Sequence, residues 1–210
     1  MMIQPCVSGI PSHFIQSPFE FLNTIKLLPF EDYLLSVGQA SVRAAQALLD
    51  KGERIVVVSS LVPNGDKPWM LERPTGQAAF VNSAVNLINF QIRAELSKLT
   101  LNEGQRALFW DLNRLFKDIS TNPVQYGFTD IKEPCMRCAA LVKNATSGKM
   151  VPDLNLKFCS GLEPAVLLRP FCSTPDSYLW WDEGRPTAAG HRLIAADLAS
   201  LLKSNGLLQD

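Results

Sequence analysis

Between Asp32 and Ser60 the chain changes its apolar rhythm once, abruptly, and that change constrains the fold more than any other feature. From Asp32 to Asp50 the apolar residues Leu34, Leu35, Val37, Val42, Ala45, Leu48 and Leu49 recur at helical spacing, and Lys51-Gly52 supplies a stop. Arg54-Ile55-Val56-Val57-Val58-Ser59-Ser60 follows at once as a β-branched run without polar alternation. A strand of that kind is covered on both faces, as in a parallel sheet packed between helices. Helix and buried strand in direct succession belong to an α/β fold.

The same rhythm continues downstream. Leu61 to Pro74 is a loop rich in Pro, Gly and Asn just beyond a strand's carboxyl end, where α/β folds place function. Thr75 to Leu99 returns to helical spacing through Ala79, Val81, Val85, Leu87, Ile88, Ile92 and Leu96. Ala107 to Asp111 reads as a second buried strand, and Leu112 to Ser120 as a short helix ahead of Asn122-Pro123. Residues 130 to 178 break the pattern with Pro134, Pro152, Pro164, Pro170 and Pro175, and residues 1 to 30 are irregular for the same reason. A final helix starts near Pro186, where a missing amide hydrogen costs nothing, with Leu193, Ile194, Ala195, Leu198, Leu201 and Leu202 as its apolar stripe.

Composition narrows the function classes. A chain of 210 residues with 47% hydrophobic content fits one globular domain. Lys+Arg and Asp+Glu are both 20, so there is no basic surplus of the kind that binds nucleic acid. No apolar stretch approaches the ~18 residues of a membrane span, and the N-terminus lacks the pattern of a secretory signal. Five cysteines lie at positions 6, 135, 138, 159 and 172. Cys135-Met-Arg-Cys138 is half a zinc knuckle without its second pair, so no metal and no cofactor are expected. The cluster reads as a disulfide-pinned loop in an oxidising compartment, or as buried thiols in a reducing one.

The segment Leu179-Trp180-Trp181-Asp182-Glu183-Gly184-Arg185-Pro186-Thr187 is the most specific signal. It resembles the last catalytic block of the GDSL or SGNH hydrolase family, which reads aromatic-Trp-Asp-x-x-His-Pro-Thr and runs into a helix. Three further pieces resemble that family in its order: Arg54 to Pro63, Asp111-Leu112-Asn113-Arg114-Leu115-Phe116 with Asn122-Pro123-Val124-Gln125-Tyr126-Gly127-Phe128, and Pro134-Cys135. The resemblance runs from about Asp32 to the C-terminus. It implies a three-layer αβα sandwich with a mainly parallel sheet, incomplete at the N-terminus. Residues 31–210 would form that partial domain, with a Cys/Pro-rich insertion at about 130–178, and the activity implied is hydrolysis of carboxylic or phospholipid esters.

Serine ester hydrolysis needs a nucleophile, a base within hydrogen-bond reach, a group that orients the base, and donors for the oxyanion. Asp182 is the family acid. Arg185 occupies the family His position, and a guanidinium, always protonated and without a lone pair, takes no proton from a hydroxyl. His191, nine residues beyond Asp182 and inside the final helix, is a weak substitute base, and His13 weaker still. No Gly-Asp-Ser occurs, and Ser8 and Ser12 lack the strand-turn-helix setting of a nucleophile. Phe30-Glu31-Asp32-Tyr33-Leu34 resembles a worn remnant of the family's Gly-x-Asn-Asp block, with Glu31 where the Asn, an oxyanion donor, would stand. Asp182 could equally cap the final helix or pair with Arg185, while Trp180 and Trp181 read as packing residues. Two functions follow: an acylhydrolase portion that needs a complementing N-terminal half, or a non-catalytic descendant that binds a lipid or protein.

Overall fold

The stop expected after the first long helix is present and specific. In the computed structural model, which describes residues 2–3, 30–71, 73–74, 76–136, 139–143, 150–153, 167–168 and 172–209, helix α1 (Phe30–Asp50) ends at Gly52 with φ 97°. Gly52 N–H donates to the Leu49 carbonyl and Glu53 N–H to that of Leu48, the paired closure a left-handed glycine permits. The chain then enters β2 (Ile55–Ser59), so the abrupt change of rhythm is a tight αβ connection. Helix α1 begins two residues before its expected start, and its first turn contains Phe30 to Tyr33, the proposed Gly-x-Asn-Asp remnant.

The described residues divide into two compact units. The first comprises residues 1–65 and 75–117. Its sheet has the order β1-β2-β3, with β1 (Met2–Ile3) and β3 (Arg106–Trp110) both parallel to β2. β3 pairs with all of β2, from Ile55↔Arg106 to Ser59↔Trp110, whereas β1 reaches only Val57 and Val58. Leu34, Val42, Ala45 and Leu49 of α1, Val56 and Val58 of β2, and Val85, Ile88, Ile92 and Leu96 of α3 (Gln77–Leu96) form one buried cluster. The helical and strand spacings of the sequence thus meet in a single core. Ala79, expected among the core residues of α3, is exposed, because it lies one residue off the Val85–Ile88–Ile92 stripe.

The segment expected to be a plain loop contains a short 3-10 turn (Asn64–Asp66) and a one-turn helix, α2 (Pro68–Leu71). Gly65 in that turn approaches α3 closely. Its N–H donates to Asn82 Oδ1 at 2.8 Å, and a Cβ on it would lie 2.7 Å from that same oxygen and collide with the Ala78 carbonyl. A helix carbonyl cannot move aside without breaking its own bonds, so Gly65→Ala is expected to cost about 1–3 kcal/mol by overpacking. A urea titration of the variant checks this, and an unchanged midpoint would refute the contact.

Helix α4 (Leu112–Thr121) follows β3 and buries Leu112, Leu115, Phe116 and Ile119, one face at three- and four-residue intervals. The second unit comprises residues 66–74 and 118–210. It holds a parallel pair, β4 (Asp130–Pro134) with β8 (Tyr178–Trp180), and an antiparallel sheet in the order β6-β5-β7 made from β5 (Ala139–Lys143), β6 (Met150–Asp153) and β7 (Leu167–Leu168). The stretch from 130 to 178, which shows little periodicity in sequence, therefore contains strands. They are short, and Pro134 and Pro152 cannot donate to a ladder, which limits how far pairing extends. Helices with short parallel sheets give the α/β class, while the described strands lie in three small sheets where a single mainly parallel one was expected.

The last helix, α5 (Ala188–Ser204), starts two residues beyond Pro186, with Thr187 as its N-cap. Its stripe is half-buried at Leu193, Ile194, Leu198, Leu201 and Leu202, and Ala195 is exposed. Among the described residues no helix is long and apolar enough to cross a membrane. Ser8, Ser12, His13 and Cys138 lie outside the described residues.

Candidate functional site

Asp182 is carried by the end of β8. Trp180 is buried and its indole Nε1–H donates to the Ile131 carbonyl at 2.9 Å, fixing β8 against β4. Beyond the last paired residues, Cys135 N–H donates to the Trp180 carbonyl at 2.9 Å and Met136 N–H to that of Trp181 at 2.7 Å. Cys135, directly after β4, is joined to Cys172 by a disulfide, and Cys172 N–H donates back to the Cys135 carbonyl at 2.8 Å. The thiol of Cys135 is consequently no part of a zinc knuckle. Trp180 is core and Trp181 is half-buried at the rim, in keeping with the packing role read from sequence.

The residues after β8 fold into a tight turn organised by the Asp182 side chain. Its Oδ1 accepts from Gly184 N–H at 3.0 Å and from Arg185 N–H at 2.8 Å, and Trp181 N–H donates to the Arg185 carbonyl at 2.7 Å. Aspartate is suited to this because its short side chain reaches the amides two and three residues ahead. Oδ2 pairs with Arg185 Nε at 3.0 Å, with the carboxylate side chain 8% exposed and the arginine side chain 83% exposed. Of the two structural roles open to Asp182, the ion pair is present. Capping falls to Thr187, whose Oγ1 accepts from Gly190 N–H at 3.2 Å and donates to the Tyr178 carbonyl at 2.7 Å. Thr187 is 1% exposed, so one hydroxyl seats α5 on β8.

Of the sequence candidates, Asp182 and Arg185 are therefore brought together, and His191 is not joined to them. His191 is exposed on α5, its N–H belongs to the helix, and Asp182 takes no hydrogen bond from its ring. The group that does approach Asp182 is one the sequence does not single out. Lys67, half-buried just before α2, has its pKa pushed down by burial, against which the negative charge of Asp182 pushes it up. Trp69 N–H, two residues on, donates to the Glu183 carbonyl at 3.3 Å, which ties α2 to the turn. Nothing in the sequence marks Lys67, because its relation to Asp182 is electrostatic and spans more than a hundred residues.

In the first unit, the main chain leaving β2 is held by two asparagines. Leu61 N–H donates to Asn89 Oδ1 at 2.7 Å, and the Leu61 carbonyl accepts from Asn89 Nδ2 at 2.9 Å and from Asn113 Nδ2 at 3.0 Å. Asn113 N–H in turn donates to Ser60 Oγ at 2.8 Å. An asparagine beside the apolar stripe of α3, at the position after Ile88, was the available signal for this clamp.

A GDSL esterase/lipase of Arabidopsis thaliana is 29% identical to this chain over 160 residues, covering 73% of the chain and 38% of that relative. The GDSL esterase/lipase EXL2 of the same plant is 24% identical over 156 residues, covering 72% and 37%. A third GDSL esterase/lipase from that plant is 26% identical over 153 residues, covering 71% and 37%. The chain is a relative of the GDSL esterase/lipases. It spans less than two-fifths of the length of these relatives. No protein-family model matches it. In this GDSL relative the acid of the terminal block is bonded to backbone amides and a guanidinium, so its carboxylate serves the turn it sits in.

Proposed function

We propose that this chain is the acid-bearing portion of a GDSL-type acylhydrolase scaffold, acting on carboxylic or phospholipid esters, and that alone it does not turn esters over. The observation that carries the reading is the engagement of Asp182: Oδ1 holds two backbone amides and Oδ2 holds Arg185 Nε. An acid used in the triad manner presents an oxygen to an imidazole N–H and keeps that ring in its proton-accepting tautomer. Here the group on that oxygen is a guanidinium, which cannot accept a proton. A nucleophile and oxyanion donors would come from a complementing N-terminal half, while the base is lost at Arg185 within this chain.

A second reading, a non-catalytic descendant that binds a lipid or protein, is favoured by one feature. The outer edge of β2, raw in a bare fragment, is covered at Val57 and Val58 by Met2 and Ile3 of the same chain. Assay of the purified protein on a short-chain p-nitrophenyl ester tests the inactivity common to both. The expected release matches an Asp182→Ala control, and sustained turnover above that control would refute the reading. Adding a segment that contains the Gly-Asp-Ser strand and helix to the Arg185→His variant, which restores a base beside Asp182, separates the two: recovered turnover supports the acylhydrolase portion, and its failure supports the binding descendant.

A further inference from the structure

In the first unit, helix α1 is fastened to α3 and the segment after it at two places. Gly38 of α1 lies so close to α3 that a Cβ on it would stand 3.0 Å from Gln91 Cγ and 3.3 Å from the Ile88 carbonyl oxygen. Farther along α1, Gln46 clasps the main chain of Thr100 with both ends of its amide. Its Nε2 donates to the Thr100 carbonyl at 3.1 Å, and Thr100 N–H donates to its Oε1 at 3.1 Å. Gln39 and Gln46 both line a groove of about 310 Å³ in this region, a volume at the lower end of the range that holds small molecules. Val42 and Leu99 give the groove an apolar surface, and both pack in or against the buried core.

The charges around the groove are not balanced. Its acid, Glu95, is already met: Lys98 Nζ pairs with Glu95 Oε1 at 2.6 Å, and Gln91 Nε2 donates to the same oxygen at 3.2 Å. Arg43 also lines the groove, from the same stripe of α1 as Gln39, Val42 and Gln46. It is exposed and, among the described residues, makes no hydrogen bond or ion pair. A guanidinium is protonated at any ordinary pH and presents paired N–H donors that match the two oxygens of a carboxylate. The groove therefore offers one uncompensated positive charge next to apolar surface.

We propose that this groove binds a monocarboxylate with a short alkyl chain, the carboxylate on Arg43 and the chain against Val42 and Leu99. One negative charge suits a site with one free cation, whereas a phosphate dianion lacks a second partner. The Gln39 amide, equally without a partner among the described residues, supplies a further donor. All of these residues belong to the first unit, and the site does not rest on the function proposed above.

Titration of the purified chain with hexanoate, followed by nitrogen–proton correlation NMR, tests the proposal. Saturable shifts are expected at the amides of Gln39 to Gln46 and Glu95 to Leu99, with hexanol and hexylamine binding about tenfold more weakly for want of the charged hydrogen bonds. Arg43→Gln should weaken hexanoate binding by about the same factor. Because Arg43 is exposed and unbonded, that variant keeps the fold, which its unchanged spectrum elsewhere would confirm. Glu95→Gln, which releases Lys98 from its ion pair, should tighten hexanoate binding. The absence of saturation, equal binding of hexanol or hexylamine, or undiminished binding in Arg43→Gln would overturn the proposal. Tighter binding of inorganic phosphate than of hexanoate at the same amides would overturn the carboxylate assignment.

Discussion

Removal of the Cys135–Cys172 bond, by Cys172→Ser or by reduction, should destabilise the second unit by about 4 kcal/mol. The bond spans 37 residues, and a cross-link closing a loop of that length removes chain entropy worth about that much from the unfolded state. Its position adds a local reason. β4 and β8 form a two-stranded pair with a register irregularity between Asp130 and Pro134, and such pairs are marginal unless something else joins them. The disulfide and the Cys172 N–H bond to the Cys135 carbonyl hold the residue directly after β4, whose own N–H bonds the Trp180 carbonyl at the end of β8. Differential scanning calorimetry should show the melting of this unit fall by on the order of 10 °C. A shift of only a degree or two would mean that the β4–β8 pair does not depend on the bond.

Trp180→Ala should be comparably severe, at about 3–5 kcal/mol. Trp180 is 2% exposed at the end of β8 and is the largest of the fully buried side chains among the described residues. Its loss opens a cavity and leaves the Ile131 carbonyl without the indole donor. Trp180→Phe bears on these two contributions, since it keeps the six-membered ring while removing the indole donor, at about 1–3 kcal/mol. Urea unfolding of the two variants supplies the comparison. Equal losses would show that the hydrogen bond carries the effect and that the cavity contributes little.

How far the fold can be read from the chain depends on whether its causes are local. Helix α1 and strand β2 were legible because Leu34, Val42, Ala45 and Leu49, and then Val56 and Val58, write their burial directly into spacing. The C-terminal strands were not, because β8 is three residues long and β4 alternates too weakly to mark a face. Their pairing is decided by Trp180 and by a bond between cysteines 37 residues apart. At the candidate site, Asp182 and Arg185 were legible as a pair because both lie in one turn. The asparagines were not, since a side chain that bonds a distant backbone leaves no period behind, and neither was Lys67, whose electrostatic relation to Asp182 leaves none either. Pro186 misled by two residues: it shapes the approach to α5, and the cap belongs to Thr187.

The clamp on Leu61 has a consequence for how this chain meets others. Asn89 offers one acceptor and one donor to a single residue, Leu61, the same pair of bonds a neighbouring strand would make. The segment leaving β2 thus enjoys the order of a paired strand without presenting a second edge for another chain to join. A side-chain amide has no continuing ladder behind it, so hydrogen bonding on that side ends at that residue, and β2 is closed at its exit against growth into a larger sheet.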